Sequence, residues 1–157
     1  MSFFRRYAQN IGALIGLAIL AVVVFVALAA PILYPGSPWQ GVAEPLLPPF
    51  EDPAYPLGTD LLGRDIAAGI AYGARVSLLI GIISTAVAVV IGVAIGALAG
   101  FYGGRVDDML MRFTEFFQTI PAFAMAVVLV AIFSPNITSI TLAIAVVSWP
   151  PVARLVR

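Results

Sequence analysis

The side chains able to do chemistry are few. The 157-residue chain holds no Cys and no His. That excludes thiol nucleophiles, imidazole bases, disulfides and the usual zinc and haem ligands. All eight basic residues are Arg, and eight Asp and Glu balance them to a net charge of zero. Without a Lys there is no Walker lysine, and no Gly-x-Gly turn precedes a strand, so any nucleotide would bind another chain. No basic face is available for nucleic acid. No nucleophile–base pair and no metal cluster can be assembled, so an enzyme is poorly served. Catalytic, cofactor-binding and metal residues are therefore expected to be absent from this chain.

What must position the remaining polar groups is a set of apolar helices. Hydrophobic residues make up 62% of the chain and charged residues 10%, against roughly 45–50% and 25% in soluble domains. A soluble domain of this size leaves about a third of its unfolded-chain surface exposed, too much for such a composition to tolerate. The expected fold class is all-α, a polytopic transmembrane helical bundle in contact with lipid. A spanning helix needs about 20 apolar residues. The charge-free stretches supply four candidates: Ile11 to Leu33, Val76 to Phe101, Phe116 to Phe133 and Ile137 to Ala153. The last two are separated by the turn signal Ser134-Pro135-Asn136. Three segments follow: 1–33, tail and first span; 34–75, a proline-rich arm with an interfacial helix; and 76–157, the remaining spans.

Arginine placement orients these spans. With the N-terminus inside, Arg5, Arg6, Arg105, Arg112, Arg154 and Arg157 face the cytosol and only Arg64 and Arg75 face outward, the bias expected of inner loops. A cleaved signal peptide is the rival for the first span, with Arg5-Arg6 as its basic region and Ala27-Leu28-Ala29 as its cleavage signal. The apolar stretch exceeds the roughly 7–15 residues usual for such leaders.

The arm contains Pro35, Pro38, Pro45, Pro48, Pro49, Pro53 and Pro56, which fix φ and remove amide donors, so regular structure is not expected before residue 57. Asp60 to Tyr72 reads as a short interfacial helix, with Ile66, Ile70 and Tyr72 on its apolar side and Asp60 placed to pair with Arg64. In the second span Ser84, Ala88, Gly92, Gly96 and Gly100 recur every four residues and make one face nearly bare backbone. Gly12 and Gly16 repeat the motif in the first span. Such a face permits close helix packing, either within this chain or against a second subunit. Pro121 should kink the third span, and Pro150-Pro151 should bend or end the fourth. No charge sits in the centre of a span, which argues against an ion-coupled pump. Ser84, Thr85, Thr141 and Ser148 are the main polar groups within spans. They suit weak contacts with a neutral or zwitterionic solute, or bonds to carbonyls one turn back. In the loop after the second span, Asp107 reads as a helix N-cap and Asp108 as a partner for Arg112.

At Pro56-Leu57-Gly58-Thr59-Asp60-Leu61-Leu62-Gly63-Arg64-Asp65 the chain resembles the C-type permease subunit of the dipeptide/oligopeptide/nickel class of ABC importers. The run Tyr72 to Leu78, Gly103-Gly104, Asp107, Met111-Arg112 and Pro121 are similar as well. The resemblance implies a multi-pass bacterial inner-membrane protein, paired with a second homologous permease and served by two ABC ATPase subunits that bind the ATP. A periplasmic substrate-binding protein would deliver peptide, nickel chelate or another small solute. It also implies a docking or gating role for Leu57, Gly58, Thr59, Asp60, Gly63, Arg64 and Asp65, against the plainer reading of capping and pairing. Members of the family usually have six spans and an EAA-x3-G loop that docks into the ATPase. No EAA-like segment is present before Arg157, so a truncated permease with its coupling element missing is expected. The different-class alternative is a small membrane scaffold that binds other helices through the glycine face.

Overall fold

The computed structural model describes residues 9–157. Arg5 and Arg6, on which the leader reading and part of the orientation depend, lie outside them. Among the described residues five helices follow in order: α1 (Ile11–Leu33), α2 (Ile66–Tyr102), α3 (Gly104–Thr119), α4 (Ala122–Ile132) and α5 (Ile137–Val156). Among the described residues there is no strand, only an isolated antiparallel bridge between Thr59 and Asp65. The chain divides into two compact units, Met1–Leu78 and Leu79–Arg157, with the division inside α2.

In the first unit, Asn10 caps α1 by accepting the amide of Ala13 at 3.2 Å. Of α1's residues only Ala27 and Ala30 are buried; the rest of its apolar surface is open, as suits lipid or another helix. The expected interfacial helix is not a separate element. Residues 60–65 form turns, and the helix starts at Ile66 and runs without a break into the expected second span. Asp65 sets that start, because its carboxylate accepts the Ala67 amide at 2.8 Å, the bond that satisfies an orphan donor at a helix N-terminus. At 1.5 Å per residue α2 is about 55 Å long, beyond the ~30 Å of hydrocarbon, so part of it projects past the bilayer core.

In the second unit the four-residue face of α2 packs on α5. Ser84, 2% exposed, donates its hydroxyl to the Thr141 carbonyl at 3.0 Å. Ala88 lies in a buried cluster with Trp149 and Ala153. A methyl group on Gly92 would stand 2.9 Å from the Trp149 carbonyl; on Gly96, 2.4 Å from the Ala153 carbonyl; on Gly100, 2.8 Å from the Arg157 carbonyl. Of the two packing partners open to this face, the one observed is within the chain. Contacts advance in the same direction on both helices, 84 with 141 and 100 with 157, so α2 and α5 run parallel.

That sense has a topological consequence. Two parallel helices require the chain between them to return along their length, and α3 with α4 makes up that return. The pair runs antiparallel to α5: Phe113 and Phe117 meet Trp149 near one end, and Ser139 bonds the Phe133 carbonyl at the other. The pair is not one straight rod, since α3 and α4 are bent by 82°. Pro121 disfavours helical φ and ψ at the residue before it, and Ile120 is extended at φ −83°, ψ 127°. By contrast, Pro150 and Pro151 do not end α5, which continues to Val156.

Gly96→Val should destabilise the chain in detergent by roughly 1–3 kcal/mol, because the added atoms have no room against the Ala153 carbonyl. Gly81→Ala meets nothing within 4 Å and should be neutral or stabilising by up to about 1 kcal/mol. Denaturant unfolding of the two variants checks both signs.

Candidate functional site

The 57–65 motif folds as a small clasp that holds the proline-rich arm. Thr59, 3% exposed, donates its hydroxyl to the Glu44 carbonyl and accepts the Leu47 amide at 3.0 Å. The Thr59 amide in turn bonds the Leu47 carbonyl at 3.1 Å. Gly63 accepts the Val42 amide at 2.8 Å, and the Asp60 carbonyl accepts the Leu46 amide at 3.0 Å. Gly58 and Gly63 have φ of +75° and +70°, and a methyl on either would sit about 2 Å from an arm carbonyl, Leu47 or Ala43. Both positions therefore demand glycine on two counts, backbone conformation and space.

Asp60 does not pair with Arg64 side chain to side chain, as a helix would have allowed. Its carboxylate accepts the amides of Leu62 at 2.8 Å and Arg64 at 2.9 Å, a turn-closing arrangement. The Arg64 amide, the largest influence, holds the Asp60 carboxyl below its ordinary pKa. The Arg64 guanidinium instead lies over the Trp39 ring, 5.6 Å from its centroid, at cation–π distance. Leu57, Leu61 and Leu62 point outward, as do Trp39, Leu46 and Phe50. Leu46 and Phe50 hold φ of +59° and +67°, conformations that are costly for residues other than glycine.

The α2–α5 seam ends in a polar cluster. Gly103, not Asp107, is the N-cap of α3; Asp107 lies in the first turn and forms an ion pair with Arg157. That is the one ion pair among the described residues, so Asp108 and Arg112 are not joined as their spacing suggests. Arg154 donates to the Gln118 side chain at 3.0 Å. The hydroxyls divide between two uses: Thr141 bonds the carbonyl one turn back, and Ser84 bridges to another helix. Among the described residues, no three acidic side chains gather as a metal site would need.

Neither composition nor residue spacing marks Trp149. It is 4% exposed, stacked on Phe113 at 6.0 Å and edge-on to Phe117 at 5.4 Å. The spacing of Phe113, Phe116 and Phe117, which share a helix face, was the available signal.

Two family models match this chain. One, the N-terminal TM domain of oligopeptide transport permease C, covers residues 2–49; the other, binding-protein-dependent transport system inner membrane component, covers residues 92–157. The chain belongs to that permease family. A dipeptide transport system permease from Haemophilus influenzae is 40% identical over 99% of this chain and 54% of its own length. A di/tripeptide permease from Pseudomonas aeruginosa is 38% identical over 99% and 53%, and an oligopeptide permease from H. influenzae 35% over 98% and 50%. The chain thus spans about half the length of the curated relatives it matches. The two model matches fall on α1 with the start of the arm and on the helical seam. The clasp lies between them, inside the stretch aligned with the relatives.

Thr59→Val should loosen the arm by about 0.5–1.5 kcal/mol, since two part-buried backbone groups lose a partner, whereas Thr59→Ser should not. Limited proteolysis between residues 40 and 56 reads the difference. Because Asp60 is lowered in the folded state, its contribution is complete above the ordinary carboxylate pKa of about 3.9 and is lost as pH falls through the folded value. Amide protection factors at Leu62 and Arg64, taken relative to intrinsic exchange at each pH, should fall over that acidic window in the wild type and change far less in Asp60→Asn.

Proposed function

We propose that this chain forms part of the translocation path of an ATP-driven importer of peptides or similar small solutes. The observation that carries the reading is 40% identity to a dipeptide permease across 99% of the chain. In this reading it pairs with a second homologous permease, a substrate-binding protein delivers the solute, and two ATPase subunits hydrolyse the ATP. This chain does no covalent chemistry. The tight α2–α5 seam moves as a block, and the bend at Pro121 is the place where α3 and α4 change their angle.

The N-terminus is cytosolic in this proposal, and the arm faces outward. Four crossings support it. They divide the eight arginines six to two between the sides, whereas three crossings, leaving α3 and α4 on one side, would divide them four to four and give no orienting bias. The clasp is then an outward platform for the binding protein. Exposed Trp39, Leu46, Phe50, Leu61 and Leu62 support that role, because grouped outward apolar side chains mark contact surfaces, and Leu46 and Phe50 are held there on strained backbone. The scaffold alternative draws no support from the seam, whose glycine face is already occupied by α5.

Reporter fusions should place residue 40 and residue 136 outside the cytosol and residue 157 inside. Expressed at its natural locus, the protein should copurify with a second permease and an ABC ATPase. Fusions that report residues 136 and 157 on one side, or purification with neither partner, would contradict the proposal.

A further inference from the structure

A cavity of about 160 Å³ opens between the end of α1, the arm and the first turns of α2. Tyr34, Tyr55 and Tyr72 line it together with Asp65, Ser37 and Gln40. We propose that it binds a primary ammonium group, carried either by a lipid headgroup or by a free amine.

Charge is the first argument. Asp65 is the one charged side chain in the wall, and no Arg lines it. One carboxylate oxygen accepts the Ala67 amide, and the group forms no ion pair among the described residues. A cation entering the cavity would therefore meet a carboxylate that no basic side chain neutralises.

The second argument is the aromatic wall. Three tyrosines around one carboxylate are the components of an ammonium cage, in which ring quadrupoles attract a cation. Two of the three are fixed in advance. Tyr72 donates its hydroxyl to the Tyr34 carbonyl at 3.1 Å, and Tyr55 donates to the Val42 carbonyl at 3.2 Å. With those hydroxyl protons given to the backbone, what the two side chains offer an ammonium is ring and the hydroxyl lone pairs, and little ordering is left to be done on binding. A hard metal ion fits poorly, since calcium takes roughly 6–8 oxygen ligands and this wall is mainly apolar with one carboxylate. The place also suits a headgroup amine: Tyr34 is the C-cap of α1, a 23-residue apolar helix, and tyrosines favour the membrane–water boundary.

The test uses the whole chain in detergent and ethanolammonium chloride as probe, read by saturation-transfer NMR. Asp65→Asn removes the charge and keeps a residue that can cap α2; Tyr55→Leu removes one ring. Saturable binding by the wild type, at least tenfold weaker in both variants and absent for ethylene glycol, is expected. Two further arms separate the sources. Retention of phosphatidylethanolamine over phosphatidylglycerol in native mass spectra, lost in Asp65→Asn, assigns the lipid. Displacement of the probe by glycylglycine, without such retention, assigns the free amine. Equal binding by wild type and Asp65→Asn at unchanged helix content, or no saturable binding, would overturn the site.

Discussion

Two helix backbones touch along one face of α2, and the second unit is arranged around that contact. Gly92, Gly96 and Gly100 leave no side chain between α2 and the carbonyls of Trp149, Ala153 and Arg157. In lipid the burial of apolar groups gives no drive for helices to associate, because acyl chains are as apolar as leucine. Close approach of backbones replaces it, through many short dispersion contacts. The four-residue period recurs on both helices, so the seam stays in register from Ser84 and Thr141 to Gly100 and Arg157. Its parallel sense obliges the intervening chain to turn back, and α3 and α4 are the product of that obligation.

The first unit solves a different problem. Its arm has seven prolines within 22 residues, 35–56, which supply neither amide donors nor a regular ladder. The polar groups that remain are satisfied one by one. Thr59 ties Glu44 and Leu47, Gly63 ties Val42 and Ala43, and Tyr72 reaches back to Tyr34. The motif that marks the family resemblance is thus the fastening of the arm, and its two positive-φ glycines are the points where any side chain would push the arm away. The same fastening forms the tyrosine-lined cavity and leaves the apolar side chains of the arm on its surface.

Much of this was legible in residue order. The ends of α1 follow from its charge-free run, the Ser134-Pro135-Asn136 turn separates α4 from α5, and Pro121 breaks the return span. Each is a local effect of hydropathy or of proline. The start of α2 is not legible in residue order, because Asp60 and Asp65 both look like helix caps. Asp60 closes a turn whose Gly63 at φ +70° cannot be helical, and so the cap falls to Asp65. The role of Asp107 is hidden for a related reason: its partner Arg157 is 50 residues away, beyond any local spacing rule.

Sequence alone determined that the chain is a set of apolar helices suited to lipid, without Cys, His or Lys, since composition and local backbone preference act residue by residue. It also determined that one face of α2 could be packed closely. Only the tertiary structure decided what packs there, that α2 and α5 run parallel, and that Trp149 and the three tyrosines gather as they do. Those outcomes depend on which distant surfaces fit at van der Waals distance. Fit is a property of two surfaces together, and neither stretch of sequence carries it alone.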